Sequence, residues 1–494
     1  MITRAHRVAG KEPLHLPTKG SDQNPERGVA ASDHAPGRPS RVATPGPGRV
    51  ISFDGYVDPL KFLGQLWQQY GDTVRYQTRL GPCFLFAHPK DVQTILRDET
   101  FRRASLIKMV LGEGLLVSEG PRWKSQRRVM QSDFLPRSVG PLVPVMVREA
   151  ARTAVAWRLA AAAGHAVDVS IDMAQLTMRV IVKALFSDEL SDTEAGELCA
   201  AVALAVTEQG KLSWLVFGMP VHFTPESAAN ITASKAALDA VAYEMIRRRR
   251  SVASCDRPPD LLTLLIEADT ESGPMSELVI RDEIVSLLIA GHETTALSLS
   301  WAWKAIAEHP DIEMTLHQEL DQVLGGRAAE LADAAKLPWT RAIFHETMRM
   351  YPAVWYMARV ASEEATVGGH TVPRGANVLI SPWLTHRHKE FWTEPERFDP
   401  ARFASSPAQA THRDAYLPFA GGRHICLGMH FALLEGTLVL AQLAQEFRLQ
   451  PINAREIRPE GGVTLRLSPG LSATVVLRST ARHDGTPGAR PAAS

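Results

Sequence analysis

The sequence predicts a mainly α-helical fold with a small β region, and three features of its apolar pattern support this. Between residues 120 and 310, apolar residues recur three and four apart, as they do on amphipathic helices. One segment, 276–308, is largely apolar on both faces, which is typical of a helix buried at the centre of a domain. Alternating segments, the pattern of half-buried strands, are confined to residues 72–88 and to the chain after residue 365.

The predicted elements follow one another in a simple order. Two strands over 72–78 and 83–88 flank Arg79-Leu80-Gly81-Pro82, a combination typical of a hairpin. Helical segments come next, at 120–134, 145–162, 171–185, 225–250 and 276–308. The fourth begins with Pro225 after Thr224, a capping signal, and the fifth would be roughly 50 Å long as one helix. After residue 365 the pattern indicates short strands, an irregular stretch near 385–425, a helix over 427–446 and a few closing strands.

The two ends of the chain differ in composition from the part between them. Residues 1–48 and 481–494 are rich in Pro, Gly and Arg and show no apolar period, which predicts disordered tails. The basic N-terminus also permits a mitochondrial transit peptide as the less favoured alternative. No repeat or Gly/Ser linker interrupts residues 49–480. We expect one unusually large domain there, and therefore a fold built around a bound group.

Composition excludes several classes of protein. The 494 residues carry 54 basic and 54 acidic side chains, so no bulk affinity for nucleic acid is indicated. No run of about 20 apolar residues exists, and we expect no membrane span. The four cysteines lie far apart and form no CxxC pair. This argues against a disulfide framework and fits a reducing compartment such as the cytoplasm.

The most informative segment is Leu-Pro-Phe-Ala-Gly-Gly-Arg-His-Ile-Cys-Leu-Gly, residues 417–428. Cys426 stands directly before the final predicted helix, where backbone N–H groups and the helix dipole favour a thiolate. The glycines allow tight turns and close approach of the backbone to a flat ligand. No His or second Cys is placed to complete the four ligands of a structural zinc site. A single axial thiolate on haem iron is the favoured interpretation, and a buried cysteine in a glycine loop is the alternative.

This segment resembles the haem-binding loop of the cytochrome P-450 superfamily, Phe-x-x-Gly-x-Arg-x-Cys-x-Gly. The match falls on Phe419, Gly422, Cys426 and Gly428. His424 departs from the pattern, because it stands where the family has an arginine that binds a haem propionate. It can serve there as a hydrogen-bond donor, with Arg423 beside it. The resemblance implies the mostly helical cytochrome P-450 fold, a single large domain around haem b whose axial ligand is the Cys426 thiolate.

A weaker signal lies in Glu346-Thr347-Met348-Arg349 and in Pro395-Glu396-Arg397-Phe398. Glu346 and Arg349 are three apart and can pair on one face of a helix, but such pairs are usually solvated. In the family, the corresponding glutamate and two arginines form a buried ionic triad that supports the haem loop. The resemblance therefore assigns a structural role to Glu346, Arg349 and Arg397.

A third group matches the family at the haem propionates. Trp123 and Arg127 lie four apart on one helix face, as in the family's Trp-x-x-x-Arg. Arg359 follows the Glu-x-x-Arg helix at the distance where the family carries another propionate-binding arginine. Two buried carboxylates need cationic or strong donor partners. The resemblance assigns this work to Trp123, Arg127, Arg359 and His424.

The central helix contains one polar island, Ala-Gly-His-Glu-Thr-Thr over residues 290–295. A buried threonine can simply bond back to a carbonyl and bend the helix. The island also resembles the family's Ala-Gly-x-Asp/Glu-Thr motif. That resemblance implies that Glu293 relays protons, that Thr294 donates a hydrogen bond to the bound oxygen, and that Gly291 makes room for dioxygen.

The resemblance covers residues 45–478 and implies a haem-thiolate monooxygenase of the soluble bacterial type, which we expect to be a monomer. It would use dioxygen and a lipophilic substrate, terpenoid or fatty-acid-like, with a polyketide not excluded. Electrons would come from a separate ferredoxin and its NAD(P)H-dependent reductase, docking near Arg122, Lys124 and Arg128. Pocket residues are expected near 104–117, 205–222, 287–290, 353–357 and 463–465. The alternatives are a peroxide-using enzyme, a non-oxygenating haem-thiolate enzyme and a haem-thiolate sensor.

Overall fold

The computed structural model describes residues 44–47, 58–79, 81–104, 108–217, 221, 223–270, 273–404 and 413–478. Most of the predicted N-terminal tail and all of the predicted tail at 481–494 lie outside these residues. Residues 44–47 belong to the folded domain, since the amide of Arg75 donates to the carbonyl of Pro45 over 2.9 Å.

Helices dominate the described part of the chain, which confirms the predicted fold class. The helices are α1 Pro59–Tyr70, α2 Pro89–Arg97, α3 Lys108–Leu111, α4 Gly120–Met130, α5 Pro136–Val139, α6 Val143–Ala163, α7 Val169–Phe186, α8 Asp192–Ser213, α9 Pro225–Ser251, α10 Leu261–Glu267, α11 Glu277–Glu308, α12 Pro310–Val323, α13 Pro338–Met350, α14 Pro382–Thr385, α15 Ala401–Ala404 and α16 Met429–Ala444. Within the ranges given above, none of them is both long and apolar enough to cross a bilayer.

The strands are short. Those within 73–86 and after residue 365 fall where the alternating pattern predicts them, whereas those at 101–103, 166–168, 269–274 and 357–361 were not predicted. The strands are β1 Thr73–Thr78, β2 Gly81–Phe86, β3 Phe101–Arg103, β4 Ala166–Asp168, β5 Asp269–Thr270, β6 Gly273–Pro274, β7 Met357–Ala361, β8 Ala365–Val367, β9 His370–Val372, β10 Asn377–Ile380, β11 Phe447–Pro451, β12 Arg458–Gly461, β13 Leu465–Ser468 and β14 Ser472–Leu477. The predicted hairpin is confirmed, since β1 and β2 pair antiparallel from Thr73 with Phe86 to Thr78 with Gly81.

The largest sheet joins distant parts of the chain in the order β1-β2-β10-β7-β3. Strand β10 runs parallel to β2 and antiparallel to β7. At the far edge, β3 pairs antiparallel with β7 so that Arg103 stands directly opposite Arg359. The sheet thereby brings together two arginines that are far apart in sequence. A second sheet, β11-β14-β4, closes the domain.

Capping side chains explain why several helices begin where they do. The Thr224 hydroxyl accepts from the amide of Ser227, so α9 starts at Pro225 as the sequence predicts. Ser276 caps α11 in the same way by accepting from Val279. Helix α8, which our sequence analysis did not predict, begins with a capping box formed by Ser191 and Glu194.

Helix α11 runs through the core and organises the helices around it. Most of its side chains are buried, including Trp301 and Trp303, as expected for a helix apolar on both faces. The Trp301 ring stacks on Tyr351 at the end of α13, with centroids 4.0 Å apart. Helix α16 approaches α13 so closely that a Cβ at Gly436 would lie 2.1 Å from the ring of Phe344. The segment preceding α16 is therefore fixed against the core.

The ionic triad is present, but its third member differs from the prediction. Arg349 donates two hydrogen bonds of 2.7 Å to Glu346, and both side chains are fully buried. Arg397 is wrong as the partner, because its side chain is exposed and pairs with Glu394; only its backbone carbonyl contacts Arg349. Arg402 takes the place, with its Nε 3.5 Å from Glu346 Oε1. The error arose because Pro-x-Arg-Phe occurs twice, and the second copy, Pro400–Phe403, faces inward.

His386 connects this ion pair to the cysteine loop. Its Nδ1 lies 3.1 Å from the Arg349 carbonyl, and its Nε2 accepts from the amide of Leu417 over 2.8 Å. Burial lowers the pKa of His386 to about 3, so the ring stays neutral. Since Nε2 accepts, the proton sits on Nδ1 and the tautomer is fixed. His386 therefore has a structural role, since it links the ion pair to the cysteine loop.

Candidate active site

The cysteine loop is held in shape by its own backbone and by one glycine. The amide of Cys426 donates to the carbonyl of Phe419 over 3.0 Å, which closes the loop just before α16. Gly422 has a φ of +64°, and a Cβ there would lie 2.1 Å from the carbonyl oxygen of Leu96. No other residue fits this position. The loop therefore depends on Gly422 for its contact with α2.

The electrostatic surroundings of the Cys426 thiol act in two directions. Desolvation raises its pKa, whereas the amide of Gly428 and the charge of Arg127 lower it. The net effect of the protein is to raise the pKa of this thiol. A cationic metal centre bound to the sulfur would reverse this balance, because metal ligation requires the deprotonated form.

Three residues predicted to act together at the propionates do meet beside this loop. The rings of Trp123 and His424 lie edge to face with centroids 4.3 Å apart. Arg127 donates to the carbonyl of Ile425 over 2.8 Å and lies over the Trp123 ring. Helix α4, which carries Trp123 and Arg127, is therefore attached to the cysteine loop directly.

The fourth predicted residue, Arg359, lies at the centre of a cluster of positive charge. Arg103 faces it across the sheet, and Arg423 is close enough to affect it electrostatically. Burial, followed by the charge of Arg103, lowers the pKa of Arg359 to about 10. Among the described residues, its guanidinium donates to the carbonyl of Ala358 over 3.0 Å. Like charges opposite each other on a sheet repel unless an anion separates them.

The cluster contains the carboxylate of Glu119. Neither Glu119 nor Arg103 was predicted from the sequence to belong to the site. Arg103 donates to Glu119 Oε1 through Nε at 2.9 Å, and His424 Nε2 lies 3.3 Å from Oε2. Burial alone would raise the pKa of Glu119, but His424 and Arg103 hold it well below its usual range. One carboxylate does not neutralise the positive charges of Arg103, Arg359 and Arg423. Arg423 pairs mainly with the exposed Glu99, 2.8 Å away.

A bound group with further negative charge would complete this cluster. Within the part of the chain that is described, the buried guanidinium of Arg359 has no carboxylate partner. The buried Nδ1 of His424 has no hydrogen-bond partner there either. Unsatisfied buried cations and donors are costly. The two propionates of haem would supply the missing acceptors beside the one cysteine of the loop. The residues present therefore fit this group.

In the polar island of α11, both threonine hydroxyls donate to backbone carbonyl groups one turn earlier in the helix. Thr294 donates to the carbonyl of Ala290 over 2.9 Å, and Thr295 donates to that of Gly291 over 3.3 Å. A Cβ at Gly291 would lie 2.6 Å from Ile181 of α7. Close packing of α7 on α11 thus accounts for this glycine without the role in oxygen binding that we expected of it. Thr295 is buried, while Thr294 is partly accessible.

Glu293 has partners that the sequence did not suggest. Arg466 of β13 donates to Glu293 Oε1 over 2.7 Å, and the Thr464 hydroxyl donates to the same oxygen over 3.1 Å. Arg466 also donates to the Thr207 hydroxyl of α8. The buried carboxylate is therefore tied to two elements outside α11. The nearest signal in the sequence was the expected pocket segment 463–465, which ends one residue short of Arg466.

Aromatic rings pack together in the region where the sequence predicts the pocket. Phe217 stacks on Trp355 with centroids 5.6 Å apart and meets Tyr356 edge to face at 4.9 Å. Trp355 donates to the carbonyl of Gly462 over 2.9 Å, which fixes its ring. Residues from 205–222, 353–357 and 463–465 thus lie together as expected. Residues 105–107, 218–220 and 222 of the expected pocket lie outside the described residues.

Comparison with known proteins agrees with this architecture. A family model described as Cytochrome P-450 matches residues 46–472. The chain is 33% identical to cyclooctatin synthase of Streptomyces melanosporofaciens, over 83% of this chain and 90% of that protein. It is 32% identical to cyclooctat-9-en-7-ol 5-monooxygenase of the same organism, over 80% and 86%.

A solved structure shows the same fold. The crystal structure of the cytochrome P-450DA haem domain superposes with a TM-score of 0.76 at 25% identity, covering 85% of this chain and 93% of that one. The family model spans far more than half of the chain, and both relatives exceed 30% identity over most of their length. The chain belongs to the cytochrome P-450 family of haem-thiolate monooxygenases.

Proposed function

We propose that Cys426 is the axial ligand of haem b in this monooxygenase, and that the substrate is a cyclic terpenoid. The observation that carries the first part is the excess of positive charge beside the cysteine loop, centred on the buried Arg359. Trp123, Arg127, Arg359 and His424 would hold the propionates, with Arg103 and Arg423 adding charge. Phe419, Gly422 and Gly428 would shape the loop around the sulfur.

The chain supplies binding, orientation and protons, while haem when bound supplies one-electron chemistry and the activation of dioxygen. Glu293 and Thr294 are the residues we assign to proton delivery. The Thr294 hydroxyl is partly accessible and can donate to a ligand instead of to Ala290. Glu293 can transfer a proton only when its carboxylate is released from Arg466.

The substrate proposal rests on relatives and on the rings near the expected pocket. Cyclooctat-9-en-7-ol 5-monooxygenase is named for oxygenation of a cyclic alcohol. Phe217, Trp355 and Tyr356 form a rigid aromatic cluster beside the expected pocket, which suits a compact ring system better than a flexible chain. We therefore favour a cyclic terpene hydrocarbon or its alcohol over a fatty acid or a polyketide.

The proposed electron donor is a ferredoxin with its NAD(P)H-dependent reductase. Arg122, Lys124 and Arg128 are exposed on α4, the helix whose Arg127 contacts the cysteine loop. An acidic partner docking there would be one helix away from Cys426. All four cysteines are unpaired, which supports a reducing compartment such as the cytoplasm.

The test uses haem-loaded protein. Cys426→Ala should abolish the ferrous–CO absorption characteristic of thiolate haem, while Cys199→Ala, which removes a partly buried cysteine elsewhere, should keep it. Retention of that absorption in Cys426→Ala would disprove the ligand assignment. With ferredoxin, reductase and NADPH supplied, oxygen uptake coupled to product separates a monooxygenase from a peroxide-using enzyme, a non-oxygenating enzyme and a sensor.

The substrate class is tested separately. Cyclic terpene hydrocarbons, cyclic terpene alcohols and straight-chain fatty acids are titrated into the ferric protein. Only the cyclic compounds should shift the haem to high spin at micromolar concentration. Tighter binding of the fatty acids would reject the terpenoid proposal and leave the monooxygenase assignment intact.

A further inference from the structure

Helices α6 and α7 carry two pairs of like charges at the same place in the fold. Arg148 and Arg152 stand four residues apart on α6. Arg179 and Lys183 stand four residues apart on α7. Residues at this spacing are neighbours on a helix surface, where like charges repel each other. The four cations therefore need anionic partners between the two helices.

A cavity of about 320 Å³ lies between these side chains. Its lining consists of the four cations, of Glu149 on α6, and of Glu189 and Leu190 in the connection from α7 to α8. The Arg152 guanidinium donates to the carbonyl of Leu190 over 3.4 Å, which holds this connection against α6. The volume falls at the lower end of the range for sites that bind small molecules.

The innermost part of the cavity is a buried ion pair. The side chains of Arg179 and Glu149 are each only 6% exposed, and Arg179 Nε donates to Glu149 Oε2 over 3.0 Å. Arg148 lies 2.8 Å from the other oxygen of Glu149, and Arg152 lies 3.9 Å from Oε2. One carboxylate is thus shared by three guanidinium groups and cannot neutralise them.

Glu189 shows that the mouth of the cavity attracts an anion. Its side chain is 68% exposed, yet its carboxylate lies 2.8 Å from Lys183 Nζ and 3.9 Å from Arg148. The hydrogen bond from Lys183, followed by the charges of Lys183, Arg148 and Arg152, lowers the pKa of Glu189. Exposed ion pairs contribute little free energy and are readily exchanged. Glu189 therefore occupies a position that a free anion can take over.

Asp192, the first residue of α8, is the remaining carboxylate. Its side chain is 70% exposed and lies 3.0 Å from Arg152 and 3.1 Å from Arg179. Asp188, in the same connection, faces Arg248 of α9 at 3.6 Å instead. Within the described part of the chain, three carboxylates thus stand against four cations at this cavity. Two of the three are exposed, so the cavity is suited to an added anion.

We propose that this cavity binds a small phosphorylated molecule through a diphosphate group. Arginine binds phosphate oxygens through two parallel hydrogen bonds, and lysine adds a compact charge. A diphosphate carries more negative charge than the Glu189 carboxylate that it displaces, and its two phosphorus centres reach cations on both helices. The buried pair of Glu149 and Arg179 stays in place beneath it. The proposal is separate from the haem assignment, because none of the cavity residues belongs to the haem site.

The experiment uses haem-loaded protein, so that the positive cluster around Arg359 is already occupied. Sodium diphosphate, orthophosphate, sulfate and chloride are titrated at constant ionic strength, and binding is followed by calorimetry. Lys183→Ala and Arg152→Ala each remove one cation, from α7 and from α6. Glu189→Ala removes the carboxylate that competes with the ligand. Thermal midpoints and the thiolate absorption of every variant confirm that it folds.

Two control variants match these changes elsewhere on the surface. Arg448→Ala removes a half-exposed arginine that also pairs with a buried glutamate, Glu313. Glu277→Ala removes an exposed glutamate that is held by a single arginine, Arg250. Neither residue lines the cavity. A general effect of net charge on anion binding would appear in the controls as well.

We expect one diphosphate to bind per chain, about tenfold more tightly than orthophosphate, with chloride too weak to compete. Lys183→Ala and Arg152→Ala should each weaken diphosphate binding by about tenfold, as expected from the loss of one charge-assisted hydrogen bond. Glu189→Ala should strengthen it by about threefold or more. Both controls should bind as wild type does. Bound diphosphate should slow hydrogen exchange at the amides of residues 187–192.

Three results would overturn the proposal. Wild-type affinity in both Lys183→Ala and Arg152→Ala would place the anion elsewhere on the protein. Unchanged or weaker binding in Glu189→Ala would show that this carboxylate does not compete for the site. Equal affinity for diphosphate, sulfate and chloride would mean general attraction of anions without a site. If Arg152→Ala does not fold, Lys183→Ala on the other helix decides the first point alone.

Discussion

The two sides of the candidate site are built in contrasting ways. On the side of the cysteine loop, the basic side chains Arg103, Arg359 and Arg423 surround one carboxylate, Glu119. On the side of α11, the carboxylate of Glu293 has its own cationic partner, Arg466, which lies 173 residues further along the chain. The first side is shaped to hold a fixed anionic group. The second is shaped by contacts that can be exchanged, as binding and release of substrate require.

The largest effect is expected at the buried ion pair of Glu346 and Arg349, behind the cysteine loop. Arg402→Ala should leave the buried Glu346 with one cationic partner fewer and destabilise the folded protein by about 3–5 kcal/mol. Arg397→Ala should change stability by less than about 0.5 kcal/mol, since its side chain is exposed. Thermal midpoints of both purified variants measure the difference. A larger loss in Arg397→Ala would restore the triad predicted from the sequence.

The next largest effect is expected in the positive cluster. Arg359→Leu should weaken haem retention by about tenfold to a hundredfold, the value of a charge-assisted hydrogen bond to a buried carboxylate. Arg102→Leu, on the same edge strand β3 but exposed, is the control and should retain haem normally. Transfer of haem to an excess of apomyoglobin gives both rates. Equal rates would show that the cluster does not hold the propionates.

On the α11 side, Glu293→Gln should slow turnover by about a hundredfold, in the range of a lost general acid. NADPH consumption should continue, with hydrogen peroxide released in place of product. Thr464→Val removes one of the hydrogen bonds to Glu293 but leaves Arg466, and should reduce turnover by less than about threefold. If NADPH consumption stays coupled to product formation in Glu293→Gln, then Glu293 does not deliver protons.

The smallest effect concerns the pH dependence of stability. Burial of Glu283 in α11 raises its pKa to about 8, so the folded protein keeps a proton which the unfolded chain releases near the ordinary glutamate value of 4.5. Stability must therefore fall as pH rises between these two values and then level off. Glu283→Gln should remove this fall, so its thermal midpoint should gain on wild type from pH 6 to pH 8 and no further at pH 9. A constant difference over this range would mean an ordinary pKa.

Much of the fold and half of the site follow from the sequence, and the reason is the range of the contacts. The helix α9 could be predicted because its cap lies within three residues of its start. The cysteine loop could be predicted because Phe419, Gly422 and Cys426 act within eight residues. Helix α8 was missed although its capping box, Ser191 with Glu194, is equally local; its small apolar residues gave no clear face.

The rest depended on pairing that no local pattern encodes. Arg103 meets Arg359 only because β3 and β7 are neighbours in the sheet. Glu293 meets Arg466 only because β13 returns to α11. Arg397 and Arg402 carry the same Pro-x-Arg-Phe pattern, and only the direction in which each side chain points separates them. These are properties of the assembled fold.

The order of strands in the large sheet also determines when, during synthesis, the chain can bind its cofactor. Strand β2 can pair with its parallel partner β10 only after β10 has emerged from the ribosome. This happens about 290 residues later, which takes about 15 to 60 s at ordinary rates of translation. Arg103 is likewise made long before Arg359, and Cys426 comes later still. A nascent chain therefore cannot retain haem until nearly all of it has been translated, and haem acquisition must follow synthesis rather than guide its early steps.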